Sequence, residues 1–176
     1  NDYATCLRSW GAGPAPMAWC AHGLGRSCGR LGAGSGITVL QVSDATRSWL
    51  DLRGVTSDRS LTLLGGANNA GGNGWGASAL TNTWNGQVIN QGGNGLFSVV
   101  GASTSLIING VLSGGTGVNK VGDGTLVLAG ANTLAAAFNA FGGKVVLDYS
   151  AQNNSKLADL SALTLGGTGT NATQMA

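Results

Sequence analysis

Asn119-Lys120-Val121-Gly122-Asp123-Gly124-Thr125-Leu126-Val127-Leu128-Ala129-Gly130-Ala131-Asn132-Thr133 reads as a short apolar strand between two glycine-bearing bends. In an extended strand successive side chains face opposite sides, so Leu126 and Leu128 turn inward while Thr125 and Val127 turn outward. Similar leucine- or valine-rich runs recur with their middles near Ile107, Leu126, Val146 and Leu163. Steps of about 20 residues between such runs are the mark of a repeating coil. If each coil lays its strands on those of the coil before, the pairing is parallel and inward side chains accumulate into apolar columns. Glycine suits the corners, because tight bends need positive φ and glycine adopts it without steric cost.

Outward from this stretch the pattern holds. Strands are predicted at 37–42, 48–52, 60–64, 83–89, 96–100, 105–108, 118–121, 125–128, 144–147 and 162–165, bounded throughout by turn formers. Only 154–160 could carry a helical turn. The reading is an all-β, right-handed, single-stranded parallel β-helix over 34–176, preceded by an irregular segment, 1–33. An antiparallel sandwich, with Asn85-Gly86 and Asn109-Gly110 as hairpin turns, ranks second because a sandwich gives no reason for the repeat.

Composition narrows the function classes. Glycine supplies 32 of 176 residues and charged residues only 9%, where about 25% is usual. With a net charge of +2, self-repulsion does not hold the polypeptide open. Two prolines and no period of three exclude collagen. Every apolar run breaks well short of the roughly 18 residues a membrane helix needs. All six arginines lie at or before Arg59, all three lysines at or after Lys120, and 60–119 carries no charge. No basic face for nucleic acid is written there.

Residues 1–33 differ from the rest. They hold all three cysteines (Cys6, Cys20, Cys28), the single His22 and both prolines, with no alternation. A Cys3His zinc set would need a paired C-x2-4-C spacing, which is missing, so no metal is expected. The sequence opens on Asn1 without a basic, apolar leader, so a secretion signal is expected to be absent or to lie outside it. The Arg, Trp, Cys, Gly and Ala richness of 1–33 resembles GC-rich DNA read in a wrong frame. Comparing the reading frames tests that hypothesis, and an uninterrupted in-frame passenger-like continuation overturns it.

The 119–133 stretch resembles the passenger-associated β-strand repeat of bacterial autotransporters, roughly K-x-G-x-G-T-L-x-L-x-G-x-N-T followed by a bend and a closing G-x-L-x-L strand. Gly142-Gly143-Lys144-Val145-Val146-Leu147 takes the closing strand's place, giving one clear repeat at 119–148. The departure is Leu134-Ala135-Ala136-Ala137-Phe138, where the family has tyrosine and then glycines and threonines. The resemblance implies a β-helical passenger of type V secretion, secreted or displayed on the outer membrane of a Gram-negative-type bacterium. Its implied partners are flanking coils and a C-terminal translocator barrel, with a host or surface glycan as candidate adhesive ligand. No nucleic acid and no membrane insertion by this segment are expected. The sequence reads as a slice of a longer protein, because neither end shows a polar cap.

Candidate chemistry is sparse. Asp44, Asp51 and Asp58 fall at even intervals, and a pair of carboxyl groups could serve as acid and base in a polysaccharide-acting β-helix enzyme. That spacing does not place them on one face, and solvated loop aspartates are the plainer reading. Asp123, between glycines, reads as a turn residue. The 65–76 stretch lacks the aspartate of a calcium repeat, and 32–36 is not a dinucleotide fingerprint. No nucleophile elbow or zinc-protease motif occurs. Trp49, Trp75 and Trp84 could form a sugar-stacking strip, though such residues more often fill a core column. The expected role is therefore a non-catalytic stalk segment, with no cofactor and the aspartate enzyme as the alternative.

Overall fold

The computed structural model describes residues 6–10, 36–40, 47–64, 74–93, 95–154, 156, 157, 162–166 and 174–175. Among them all regular structure is β. The strand β1 (Cys6–Trp10) stands first, and the strands after it run in threes. The first rung holds β2 (Gly36–Leu40), β3 (Arg47–Arg53) and β4 (Thr56–Ser57). The second holds β5 (Ser60–Leu64), β6 (Gly74–Ala79) and β7 (Thr81–Trp84), and the third β8 (Val88–Gln91), β9 (Gly95–Val99) and β10 (Ser105–Ile108). The fourth holds β11 (Leu112–Gly114), β12 (Val118–Val121) and β13 (Thr125–Leu128). The fifth holds β14 (Thr133–Leu134), β15 (Phe138–Ala140) and β16 (Lys144–Leu147), followed by β17 (Leu163–Leu165) and β18 (Gln174–Met175).

Each member of a triplet joins a different sheet. Sheet I orders β1-β3-β6-β9-β12-β15-β17, sheet II β18-β16-β13-β10-β7-β4, and sheet III β14-β11-β8-β5-β2. Neighbours from β2 onward pair in parallel, so the backbone winds from sheet III to I to II and back, climbing one strand per circuit. The result is a β-solenoid. Among the described strands only β1 pairs antiparallel, Cys6 opposite Asp51 and Trp10 opposite Arg47, and it covers the first edge of sheet I. This strand within 1–33 has no counterpart in the sequence reading; the rest of 1–33, with Cys20, His22 and Cys28, lies outside the described residues.

The register bears out the decisive stretch. Leu106, Leu126 and Val145 are direct partners in sheet II, each a single circuit from the next. Leu126 and Leu128 are fully buried, while Thr125 and Val127 are not. The alternation predicted from four residues is the alternation observed. Elsewhere the circuit is longer, as where Leu61 stands opposite Val88.

Two expectations need correction. Leu163 does not follow Val146 in the same sheet: β17 pairs with β15 in sheet I, and it is β18, much later in sequence, that pairs with β16 in sheet II, Met175 opposite Val145. The backbone leaves the circuit after Leu147 and brings Lys156 and Leu157 back against the core before Leu163 is reached. The predicted strand 83–89 is broken at Asn85-Gly86 into β7 and β8. Asn85-Gly86 and Asn109-Gly110 are not hairpin turns but corners between sheets II and III, where the backbone turns without reversing. The segment 154–160 shows no helix at its described residues 154, 156 and 157.

The interior is built of columns along the axis. In sheet I, Leu50, Trp75, Phe97, Lys120 and Ala140 occupy one inward column, all buried. Trp75 crosses the interior to meet Trp84 of sheet II edge-on, ring centres 5.3 Å apart at 78°, and meets Phe97 at 5.4 Å and 85°. These T-shaped contacts suit the ring quadrupoles and add to burial. Trp75 and Trp84 are therefore core, not a solvent-facing strip.

Candidate functional site

A coil that turns three times per circuit leaves backbone carbonyls and amides at its corners outside the sheet ladders. Buried groups of this kind must find partners. The described residues show how: buried polar side chains clasp the corner backbone and reach into the adjoining rung.

Asn82 is fully buried at the corner from sheet I to sheet II. Its Oδ1 accepts from Val55 N–H of the rung before at 2.9 Å. Its Nδ2 donates to the carbonyls of Ala79 (2.9 Å) and Leu80 (3.3 Å), and to that of Ser105 in the rung after (3.4 Å). The amide acts as an inserted peptide unit. Asn132 repeats the device at the corner from sheet II to sheet III, accepting from Leu112 N–H at 2.9 Å and donating to the Lys156 carbonyl at 3.0 Å. At the remaining corner, Asn90 donates to the carbonyls of Thr116 (3.2 Å) and Gly117 (2.8 Å).

Lys120 is the charged version. It lies in an inward column, yet its ammonium bends to the sheet I to sheet II corner. There it donates to the carbonyls of Gly122, Gly124 (2.7 Å) and Gly142 (2.7 Å). Gly142 belongs to the next rung. Gly143 beside it has φ +66°, and a Cβ there would stand 2.5 Å from Lys120 Nζ. The lysine thus loops back onto the carbonyls of its own bend, and Gly143 leaves room for the ammonium; at Gly122 and Gly124 a Cβ would instead meet the preceding rung, 2.3 Å from Val99 O and 2.6 Å from Val99 Cγ1. Burial pushes the amine down to about 8, and the Asp123 charge acts in the opposite direction. Lys156, also buried, donates to the carbonyls of Ala129 (2.6 Å) and Gly130 (3.1 Å) and to Asn154 Oδ1 (3.2 Å). It supplies a donor at a corner beside β14, the last strand of sheet III among the described residues.

A second polar array lies outside. Asp58, Asn85 and Asn109 stack along the sheet II to sheet III corner, all exposed. Asn85 Nδ2 donates to Asp58 Oδ1 at 2.7 Å, and Asn109 Nδ2 to Asn85 Oδ1 at 2.8 Å. The glycines that follow are forced by packing: a Cβ at Gly110 would come within 1.9 Å of the Gly86 carbonyl oxygen, and one at Gly86 within 2.0 Å of that of Arg59.

The candidate acids are placed as follows. Asp51, in sheet I, accepts from Ser78 Oγ at 2.8 Å and Arg53 Nε at 3.0 Å. Asp58 caps the amide ladder at the sheet II to sheet III corner, so the two do not meet in one polar network. Asp44 lies outside the described residues. Asp123 is exposed at the Lys120 corner, where its charge acts on the amine. Hydrogen bonds from Ser150 hold the Asp148 carboxyl below its ordinary range. Among the described residues no group of three or more His, Cys, Asp and Glu is placed to hold a metal ion. No helix among them is long and apolar enough to cross a membrane.

Sequence reasoning missed the clasps. Their signal was present in Lys120, which closes the uncharged stretch and precedes two glycines at a spacing of two. No family model matches this sequence, and no match is found among curated proteins or solved structures.

Proposed function

We propose that this protein is a non-catalytic stalk segment of an autotransporter-type passenger, secreted or displayed on the surface of a Gram-negative-type bacterium. The observation that carries the reading is the Lys120 clasp, because the repeat-like stretch 119–133 supplies both the strand stacked on its neighbours and the ammonium tying one rung to the next. In a solenoid each rung contacts only its neighbours, so stability accrues rung by rung as the polypeptide emerges from a pore. Few charges and a core extended one rung at a time suit that route. The partners in this reading are further coils and a C-terminal translocator barrel, with a glycan as candidate ligand of the outward Thr, Ser and Asn side chains.

The test places residues 1–176 between a secretion leader and a translocator barrel, with a protease-cleavable reporter module at the outer end. Surface cleavage of the reporter, together with a protease-resistant solenoid, is the expected result. A reporter held in the periplasm, while the same barrel displays it without this segment, would sink the reading.

A further inference from the structure

The Asp58–Asn85–Asn109 ladder has a chemical consequence independent of any secretion role. Asparagine followed by glycine is the dipeptide most open to deamidation, because a glycine peptide nitrogen meets little hindrance in reaching Cγ of the asparagine. Here both exposed asparagines of the ladder, Asn85 and Asn109, precede glycines that no other residue could replace at that corner. Packing demands the vulnerable sequence. The same packing restrains its chemistry.

We infer that this corner is a guarded deamidation site, in which rung stacking holds Asn85 and Asn109 as amides and their conversion to carboxylates after the rungs part blocks restacking. In the reaction the Gly110 peptide nitrogen, having lost its proton, attacks Cγ of Asn109. A new C–N bond closes a succinimide ring, the Cγ–Nδ2 bond breaks, and ammonia leaves carrying a proton. Water then opens the ring to aspartate or isoaspartate. The fold opposes the first step twice. Gly110 N–H is engaged with the Trp84 carbonyl at 3.2 Å, and Asn109 N–H donates to the same oxygen at 2.8 Å. The Asn109 amide is meanwhile held on Asn85, and that of Asn85 on Asp58.

Direction in the ladder explains the block. A carboxylate only accepts, so Asp58 fixes Asn85 with its nitrogen toward Asp58 and its oxygen toward Asn109. If Asn109 becomes aspartate, Asn85 stands between two carboxylates and one amide nitrogen can face only one of them. If Asn85 converts, two carboxylates meet where a 2.7 Å hydrogen bond was. Either product removes a rung-to-rung contact.

The experiment incubates the whole protein at mildly alkaline pH, folded and in denaturing urea, and follows Asn85 and Asn109 by peptide mass spectrometry. Folded protein should convert both at least about tenfold more slowly, since attack requires local opening. Asp58→Ala should speed conversion of Asn85 in the folded protein without changing its rate in urea. The variants Asn85→Asp and Asn109→Asp should unfold at lower urea than wild type. Equal rates folded and unfolded would overturn the guarding. An Asp58→Ala rate matching wild type would overturn the ladder's part in it, and Asp variants as stable as wild type would overturn the block to restacking.

Discussion

Lys120 Nζ lies 2.7 Å from the carbonyl oxygen of Gly142, one rung along the solenoid. The contact joins two circuits of backbone through a lysine rather than through a sheet ladder. An ammonium has three N–H donors, and this one meets three carbonyls. Charge-assisted hydrogen bonds of this kind are the stronger class. They offset part of the cost of removing the charge from water, which is why a lysine persists in a column otherwise filled by Leu50, Trp75, Phe97 and Ala140.

Lys120→Met keeps the apolar stem and removes the donors. Three corner carbonyls then lose a partner in the interior, against which the variant gains relief from burying a charge. The net expectation is a loss of about 1–3 kcal/mol, read from the urea midpoint. A midpoint equal to that of wild type would mean that water reaches these carbonyls and that the clasp is dispensable.

The same amine sets a pH dependence. Folded Lys120 titrates at about 8, and an unfolded lysine at about 10.4. Between these values the unfolded state binds more protons, so stability rises with pH through that window and falls as pH drops back through about 8. Lys120→Met lacks this contribution, so the wild-type advantage over the variant should grow from about pH 8 to about 10. Asp123→Asn removes the charge that raises the amine and should open the window at lower pH. A wild-type-to-variant difference flat across this range would contradict the assignment.

How much of this was legible beforehand follows from the range of each interaction. Strands 105–108, 118–121, 125–128 and 144–147 have the bounds their sequence predicts, because alternation and flanking turn residues are local properties. β6 was missed: Gly74-Trp75-Gly76-Ala77 looks like loop, and only the approach of the next rung, with Ser98 O 1.8 Å from where a Gly76 Cβ would stand, explains its glycine. Leu163 was misplaced for a related reason. Spacing cannot show that the backbone leaves the circuit between Asp148 and Leu157. The clasps depend on which residues of neighbouring rungs share a corner, and that is known only once the register is fixed.

The inward and outward assignments of one strand can be separated by two substitutions. Leu126 is fully buried between Leu106 and Val145, so Leu126→Ala should cost about 2–5 kcal/mol through lost burial and the cavity left. Val127, next in sequence, faces outward between Ile107 and Val146, and Val127→Thr should stay within about 0.5 kcal/mol. Thermal or urea unfolding of the pair decides it, and similar losses at both positions would refute the alternation.

Two glycines test whether close stacking, rather than backbone freedom, governs the corners. Gly110 has the Gly86 carbonyl oxygen 1.9 Å from its would-be Cβ, and Gly130 in turn has the Gly110 oxygen at 2.1 Å, so three successive rungs touch backbone to backbone. An alanine methyl there cannot be absorbed by a rotamer change, because the obstacle is backbone on an adjoining rung. Gly110→Ala should therefore part the rungs at that corner and cost about 3 kcal/mol or more. Gly115, a little further on, would place its Cβ in open space, and Gly115→Ala should change stability by less than about 0.5 kcal/mol. Hydrogen exchange at Asn109, whose N–H bonds to Trp84 O across the same corner, supplies a local readout. Faster exchange in Gly110→Ala but not in Gly115→Ala is expected, and an unchanged rate in both would show that the stack tolerates a methyl group at its tightest point.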